Sequence, residues 1–410
     1  MGNLCPMRWP NTWRDPSALS LLKGSVVNCL LVERGLDLGA VVARARQDGH
    51  QVADVASLPA GINVIKGVWP GVKLSESGTV DQADAGPTGI PWIDSNGWKI
   101  RLTSALHPGA AVWVDAPPKG SRLTAVSYLV AIADAAAHGG RWIISLDDQL
   151  AQDVAGQKPA ALQTWKLLTG AAAFFEARQV WSSYFPEAVM GIISDFSGKN
   201  EFLSNEILNL VARTNQQYRI IVKDKITDSS LSGLKAILYA DAEPPAPELR
   251  KRSLAFVQAG GRLITGRQWG ELPGTLATGQ DHPGYAFRVL GKGSVAVAKA
   301  SLEDPYLIAN DAVVLVSHRY ELLRLWTPRA ASCTFTVAPD RRRAALQMVF
   351  YASARAIDGP TVRVAGRYRS AKLWTLDQPA PRDVKLVGQK DAVELQLPRV
   401  TTYAGVELEA

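Results

Sequence analysis

Apolar residues follow two regimes along this chain. Up to about residue 328, unbroken apolar runs alternate with longer stretches of helical spacing. From Ser332 onward the runs are short and close together. In the first regime VVNCLLV (26–32), INVIKGVW (62–69) and the runs near 90–94, 111–115 and 141–146 have the length and the Gly/Pro borders of buried strands. Between them, GLDLGAVVARARQDGH and SRLTAVSYLVAIADAAAH carry apolar residues at helical spacing. Ser121 is the expected N-cap of the second helix and Gly139 its stop. A further helix, from about Lys158 to Arg178, closes the region. Strand and helix in alternation predict parallel pairing with right-handed crossovers. Five strands before residue 185 are few for a complete eight-stranded barrel, which usually takes about 250 residues. The expectation is a short or incomplete (β/α) barrel over residues 1–187.

A second unit opens at Ala188. AVMGIISDF is a continuous apolar strand, NEFLSNEILNLVARTN an amphipathic helix, and YRIIVKD and LKAILYAD are two more strands. PAPELRKRSLAFVQAGGRLITG adds another helix and strand, then SVAVAKA and a helix from about Asp304 to Trp326. This predicts a flavodoxin-like doubly wound domain over 188–328. Past it, SCTFTVA, AALQMVFYA, TVRVAGRY, AKLWTL, VKLVG, AVELQLP and AGVELE are strand-like runs broken by Gly, Pro or Asp. They predict a β-sandwich over 329–410.

Composition changes this picture little: 47% hydrophobic and 20% charged residues are ordinary for a globular chain. No apolar run reaches the roughly 20 residues of a membrane span, so no membrane partner is expected. The N-terminal MGNLCPMRWPNTW lacks the basic start and apolar core of a secretory signal. Cys5, Cys29 and Cys333 show neither zinc spacing nor a disulfide framework, and the five histidines are scattered. No metal site and no cofactor are expected.

Charge and tryptophan do bear on chemistry. Between Arg319 and Lys372 eleven basic residues face only Glu321, Asp340 and Asp358, a local balance of +8 within a chain of net +7. Such a face can hold an acidic polymer, although solubility and subunit salt bridges are the more ordinary reading. No nucleic-acid motif accompanies it, so nucleic acid is not the expected partner. The organising stretch is 91–148, where three apolar runs each carry a tryptophan and lead into aspartate: Trp92 and Asp94, Trp113 and Asp115, Trp142 and Asp147–Asp148. In barrels of parallel strands the reacting groups sit at the C-terminal strand ends, and glycoside hydrolysis needs two flanking carboxyl groups. Asp94, Asp115 and Asp147 are therefore the candidate catalytic residues, with Asp148 and Glu33 behind them. The ordinary alternative for each is a cap, turn or salt bridge. Trp69, Trp98 and Trp113 at strand ends are candidates to stack on sugar rings, and Asn96 to hydrogen-bond sugar hydroxyls. Trp92 and Trp142, at strand starts, are expected in the core. The loop 73–89 is long enough to be functional.

The order barrel-like region, flavodoxin-like domain, β-sandwich resembles modular glycoside hydrolases of the β-galactosidase type. The likeness is carried by AVMGIISDFSGKNEFLSNEILNLVARTNQQYRIIVKD, LKAILYADAEPP and LAFVQAGGRLI, and at the end by TVRVAGRYRSAKLW and VELQLPRVTTYAGVELE. In that family a barrel precedes a domain built like a class I glutamine amidotransferase and a small β domain. The resemblance implies a carbohydrate substrate. Residues 1–185 contain no Asn-Glu pair at a strand end, so the family's catalytic glutamates have no counterpart to carry over. The glutaminase nucleophile is absent as well. The turn after LKAILYAD reads Ala240, Asp241, Ala242, without the cysteine that acyl transfer needs. The middle domain is thus expected to be structural or an interface between subunits, which admits a homo-oligomer. Two functions follow as expectations: a glycoside hydrolase working through a carboxylate pair, or a catalytically silent carbohydrate-binding protein with a decayed barrel.

Overall fold

The computed structural model describes residues 4–72, 92–120, 123–279, 282–326, 330–352 and 359–410. The loop 73–89, Ser121, Arg329 and Arg355 lie outside the described residues.

Six parallel strands form the first region. β1 (Pro6–Arg8), β2 (Cys29–Val32) and β3 (Gln51–Asp54) make one ladder; β4 (Ile62–Lys66), β5 (Ala111–Asp115) and β6 (Arg141–Trp142) make another. A parallel bridge between Met7 and Ile144 joins them, with Arg8 N–H donating to Ile144 O at 2.9 Å and Ile144 N–H to Pro6 O at 3.1 Å. The resulting order is β3-β2-β1-β6-β5-β4. Among the described residues no ladder joins β3 to β4, so the sheet is not a closed barrel.

Alternation with period two explains how the strands divide. Cys29, Leu31, Trp113 and Ile143 cluster on one face with Ala53 and Ile62. Met7, Leu30, Val112, Val114, Trp142 and Ile144 turn to the other, where helices cover them. Those helices include α1 (Gly39–Gln47), α2 (Gly97–Leu106), α3 (Ala125–Ala137), α4 (Asp148–Ala155) and α5 (Pro159–Glu176). α3 is apolar on nearly every side because it is buried nearly all round, against the sheet, α5 and a strand of the C-terminal region. Its cap is Thr124, whose hydroxyl accepts the Ser127 N–H, three residues later than the expected start.

Sequence reasoning missed β1 and β3, each too short and polar to stand out. It also placed a barrel strand near 90–94; Ile93–Asp94 instead pairs antiparallel with Gly71–Val72 outside the parallel sheet.

The middle region is a seven-stranded sheet: β7 (Met190–Ser194), β8 (Tyr218–Val222), β9 (Ala236–Tyr239), β10 (Arg262–Thr265), β11 (Thr275–Leu276), β12 (Tyr285–Leu290) and β13 (Gly293–Ala298). Its order is β8-β7-β9-β10-β13-β12-β11, with the first five parallel. Counted within this region the parallel part runs 2-1-3-4-5, the flavodoxin-like order. β7 is buried at every residue, as a strand covered on both faces must be. α6 (Glu201–Arg213) and α9 (Pro305–Val316) pack on one face. α8 (Pro247–Gln258), reached after the single turn α7 (Asp228–Leu231), packs on the other. α9 ends at Val316, and Leu323–Trp326 is a strand rather than the helix end expected there.

Two antiparallel sheets complete the chain, one of four strands and one of six, around an apolar core that includes Phe335, Leu346, Met348, Val364 and Val406. The six-stranded sheet takes Phe185–Pro186 as its edge, so a segment preceding the middle sheet is held by the last region.

Candidate active site

The C-terminal ends of the parallel strands in the first region carry a compact charged cluster. Arg8 closes β1, Asp115 closes β5, and Glu33 follows β2. Both carboxylate oxygens of Asp115 accept from one terminal nitrogen of Arg8 at 2.9 Å. The other terminal nitrogen reaches Glu33 Oε1 at 3.5 Å, and Asn11 donates to Glu33 Oε2 at 3.1 Å. Next to them Asp54, at the end of β3, pairs with Arg34. One guanidinium touching two carboxyl groups holds them no farther apart than the roughly 6.5–9.5 Å of an inverting pair. Asp115 is largely covered, whereas the Glu33 side chain is 48% exposed and open to an incoming molecule. Arg8 was not singled out in the sequence, because CPMRW carries no strand signal; the basic residue beside a tryptophan was the only available hint.

The remaining candidates go elsewhere. Asp147 is the N-cap of α4: Oδ1 accepts Leu150 N–H at 3.0 Å, and Oδ2 accepts the Tyr128 hydroxyl at 3.0 Å and Leu123 N–H at 3.4 Å. Both of its oxygens are engaged and the residue is buried, a structural role in place of the catalytic one expected. It borders a pocket of about 340 Å³ with Asp153 and Gln149. Asp148 is the first residue of α4, where a negative charge suits the helix dipole. Asp94 lies in the short antiparallel ladder and bears electrostatically on Arg213 of α6. The structure gives it no contact with the Arg8 cluster.

Two sugar-binding expectations are corrected outright. Trp113 is completely buried inside the first sheet, so it offers no ring face to a ligand. Asn96 is 1% exposed and fully used: its amide pairs with both backbone groups of Val68 at 2.9 Å and donates to Asp134 at 3.1 Å. Trp69 is half-buried and packs edge-on against Tyr128 and Trp142. Trp98, also half-buried, packs toward the core of the middle region.

A residue that sequence reasoning overlooked ties these segments together. Asp134 is the one acidic residue of the apolar helix α3, and it is wholly buried. Its carboxylate accepts from Ser95 Oγ (2.6 Å), Asn96 N (2.9 Å), Asn96 Nδ2 (3.1 Å) and the Tyr351 hydroxyl (2.5 Å). An ionisable residue inside an otherwise apolar helix was the available signal. Burial, with the neighbouring Asp134 charge adding to it, raises the Tyr351 hydroxyl well above the ordinary tyrosine range.

In the middle region the turn after β9 is built on ion pairs. Lys223 binds Asp195 and, at 2.9 Å, the buried Asp241. Asn200 links Asp195, Glu243 and the Ala242 N–H. Burial works against the Asp195 charge, but Lys223, the Ser197 amide and Asn200 outweigh it and lower its pKa. Among the described residues no cluster of three His, Cys, Asp or Glu side chains could hold a metal. On the basic C-terminal region Arg324 pairs with Glu321, Arg341 with Glu187 and Arg363 with Asp391.

No protein family and no curated protein matches the sequence. Solved structures do match by shape. α-L-Fucosidase isoenzyme 2 from Paenibacillus thiaminolyticus superposes with a TM-score of 0.53 at 13% identity, over 96% of this chain and 79% of that one. A rhamnosidase from Novosphingobium sp. PP1Y gives 0.51 at 11% identity, over 91% of this chain and 38% of that one. A GH42 β-galactosidase from G. stearothermophilus gives 0.50 at 12% identity, over 80% and 59%. The chain therefore has a mixed α/β fold similar to that of glycoside hydrolase structures, and it spans well under two thirds of the latter two. No helix among the described residues is long and apolar enough to cross a membrane.

Proposed function

We propose that the chain is a carbohydrate-active enzyme of the glycoside hydrolase type, acting at the C-terminal strand ends of its first region. The observation that carries this reading is the Arg8 guanidinium holding Asp115 and Glu33 together at those ends. Asp115, gripped on both oxygens, is the group for the anionic role of nucleophile or base, since charge-assisted contacts fix its orientation. Glu33, exposed and more loosely held, is the group that protonates the leaving oxygen. The similar solved structures, which bear the names fucosidase, rhamnosidase and β-galactosidase, support a glycan substrate. On this reading residues 1–187 hold the substrate, while 188–328 and 329–410 support that region and supply contacts between copies.

The test is a screen of the purified chain against diverse oligo- and polysaccharides, read by released reducing ends and repeated with Asp115→Asn and Glu33→Gln. Each substitution should lower turnover by about 10²–10⁴-fold, the usual worth of one acid or base group. Full activity in both variants would refute the assignment. The second reading, a silent carbohydrate-binding protein, is favoured by Asp147 being buried with both oxygens taken up, by a helix cap and by Tyr128. It predicts saturable glycan binding with no release of reducing ends from any substrate.

A further inference from the structure

Where α2, α3, α6 and the strand Ala331–Val337 meet, they leave a cavity of about 30 Å³. Its lining includes Ser95, Trp98, Arg101, His138, Arg213 and Gln216. That is room for one small ion or one or two waters, and too little for sulfate, phosphate or a sugar.

The polar groups around it are unbalanced. Arg213 is 8% exposed and its guanidinium lies 3.7 Å from the Trp92 ring centre. One terminal nitrogen donates to Asn209 Oδ1 at 3.0 Å, while buried Nε and Nη1 have no partner. Arg101 adds a second guanidinium, stacked 3.9 Å from the Tyr218 ring centre and donating to the Tyr218 carbonyl. Neither arginine forms a salt bridge with any described residue. His138 donates from Nδ1 to the Asp134 carbonyl at 2.8 Å, a tautomer fixed by that acceptor. Its ring packs so closely on Gly97 that a Cβ there would lie 2.4 Å from Nε2. Burial lowers the His138 pKa, so the ring stays neutral. Burial also pulls the Arg213 guanidinium down to about 10, against the raising influence of Asp94 and Glu206.

Asp94 and Glu206 act on Arg213 from a distance, but buried donor atoms left without an acceptor are costly, and native proteins satisfy such groups. We propose that this cavity is a binding site for a single halide-sized anion, chloride, held by Nε and Nη1 of Arg213 with Arg101 as the second cation. The ion satisfies both orphaned donors at a junction to which all three regions of the chain contribute. The site is independent of the glycosidase reading.

Thermal unfolding of the full chain in sodium chloride and in sodium gluconate at equal ionic strength tests it. Chloride should raise the transition temperature, flat below the dissociation constant and rising with the logarithm of concentration above it; bromide should do the same, and gluconate should not. Above the dissociation constant, a tenfold rise in chloride should raise the folding equilibrium constant about tenfold. Arg213→Met should abolish the chloride-specific part. Because that variant can fail to fold, the wild-type chain crystallised in bromide supplies the second measurement: an anomalous peak beside Nε and Nη1 of Arg213. Equal responses to chloride and gluconate would overturn the proposal. So would a water, or a carboxylate of the chain itself, seated at those nitrogens.

Discussion

Removing the carboxylate of Asp134 probes how the regions of the chain are coupled. This side chain accepts four hydrogen bonds within 3.1 Å while wholly buried, from the start of α2 and from Tyr351 after a C-terminal strand. In Asp134→Ala the Tyr351 hydroxyl, the Ser95 hydroxyl and the Asn96 N–H all lose the carboxylate they donate to. A stranded buried donor costs about 1–3 kcal/mol, and breaking a buried charged network costs about 3–5 kcal/mol in total. The lower total is expected for Asp134→Ala, since the Tyr351 hydroxyl also lies 2.8 Å from Ser332 Oγ and 3.3 Å from Ser95 Oγ, either of which can accept from it. Tyr351→Phe should cost about 1–2 kcal/mol by the same reasoning. The double variant should show coupling of about 1 kcal/mol or more, because the two residues share one bond. Urea unfolding followed by fluorescence and by circular dichroism measures these values, with each transition fitted separately if the probes diverge. An Asp134→Ala chain less than 1 kcal/mol weaker than wild type, or a coupling of zero, would refute the argument.

The other predictions use the same logic. Lys223→Met leaves Asp195 and the buried Asp241 facing each other without their shared cation; a loss of about 3 kcal/mol in urea is expected, and no loss would show the pairs to be idle. Because the Asp195 pKa is lowered on folding, its stabilisation is full above the unfolded carboxylate value and fades as pH falls through the folded one; Asp195→Asn should flatten that acid limb. His138 is depressed on folding, so the unfolded chain binds the extra proton and stability should drop as pH falls below roughly 6.5; a flat profile between pH 7 and 5 would contradict it. Asp147→Ala should cost about 1–2 kcal/mol as a lost helix cap, whereas Asp147→Ser, which can still cap, should recover most of it.

Much of the architecture was legible because hydrophobic period and turn chemistry are local properties. The alternation of strand and helix through residue 265, the apolar run of β7 and the close-spaced strands after Ser332 each follow from which faces must be covered. The absence of a nucleophilic cysteine after β9 was equally visible, since it depends only on the residue type at one turn. The sequence did not reveal β1 and β3. Three or four residues carry too little pattern, and these strands exist because a neighbouring strand offers a ladder. The same limit explains Ile93–Asp94, which looked like a barrel strand and is a short antiparallel arm.

For the proposed site, the sequence determined which residue types were available near strand ends, among them Asp115 and, less prominently, Glu33. What each carboxylate does was decided only by tertiary structure. Asp147 caps a helix because α4 begins beside it and Tyr128 reaches its second oxygen. Trp113 and Asn96 are closed off because strand parity and the Val68 backbone turn them inward. Arg8 joins Asp115 across 107 positions of chain, and Tyr351 joins Asp134 across 217. Partnerships at such separations leave no local trace, because charge pairing and burial depend on which surfaces meet after folding, and chain order alone does not fix that.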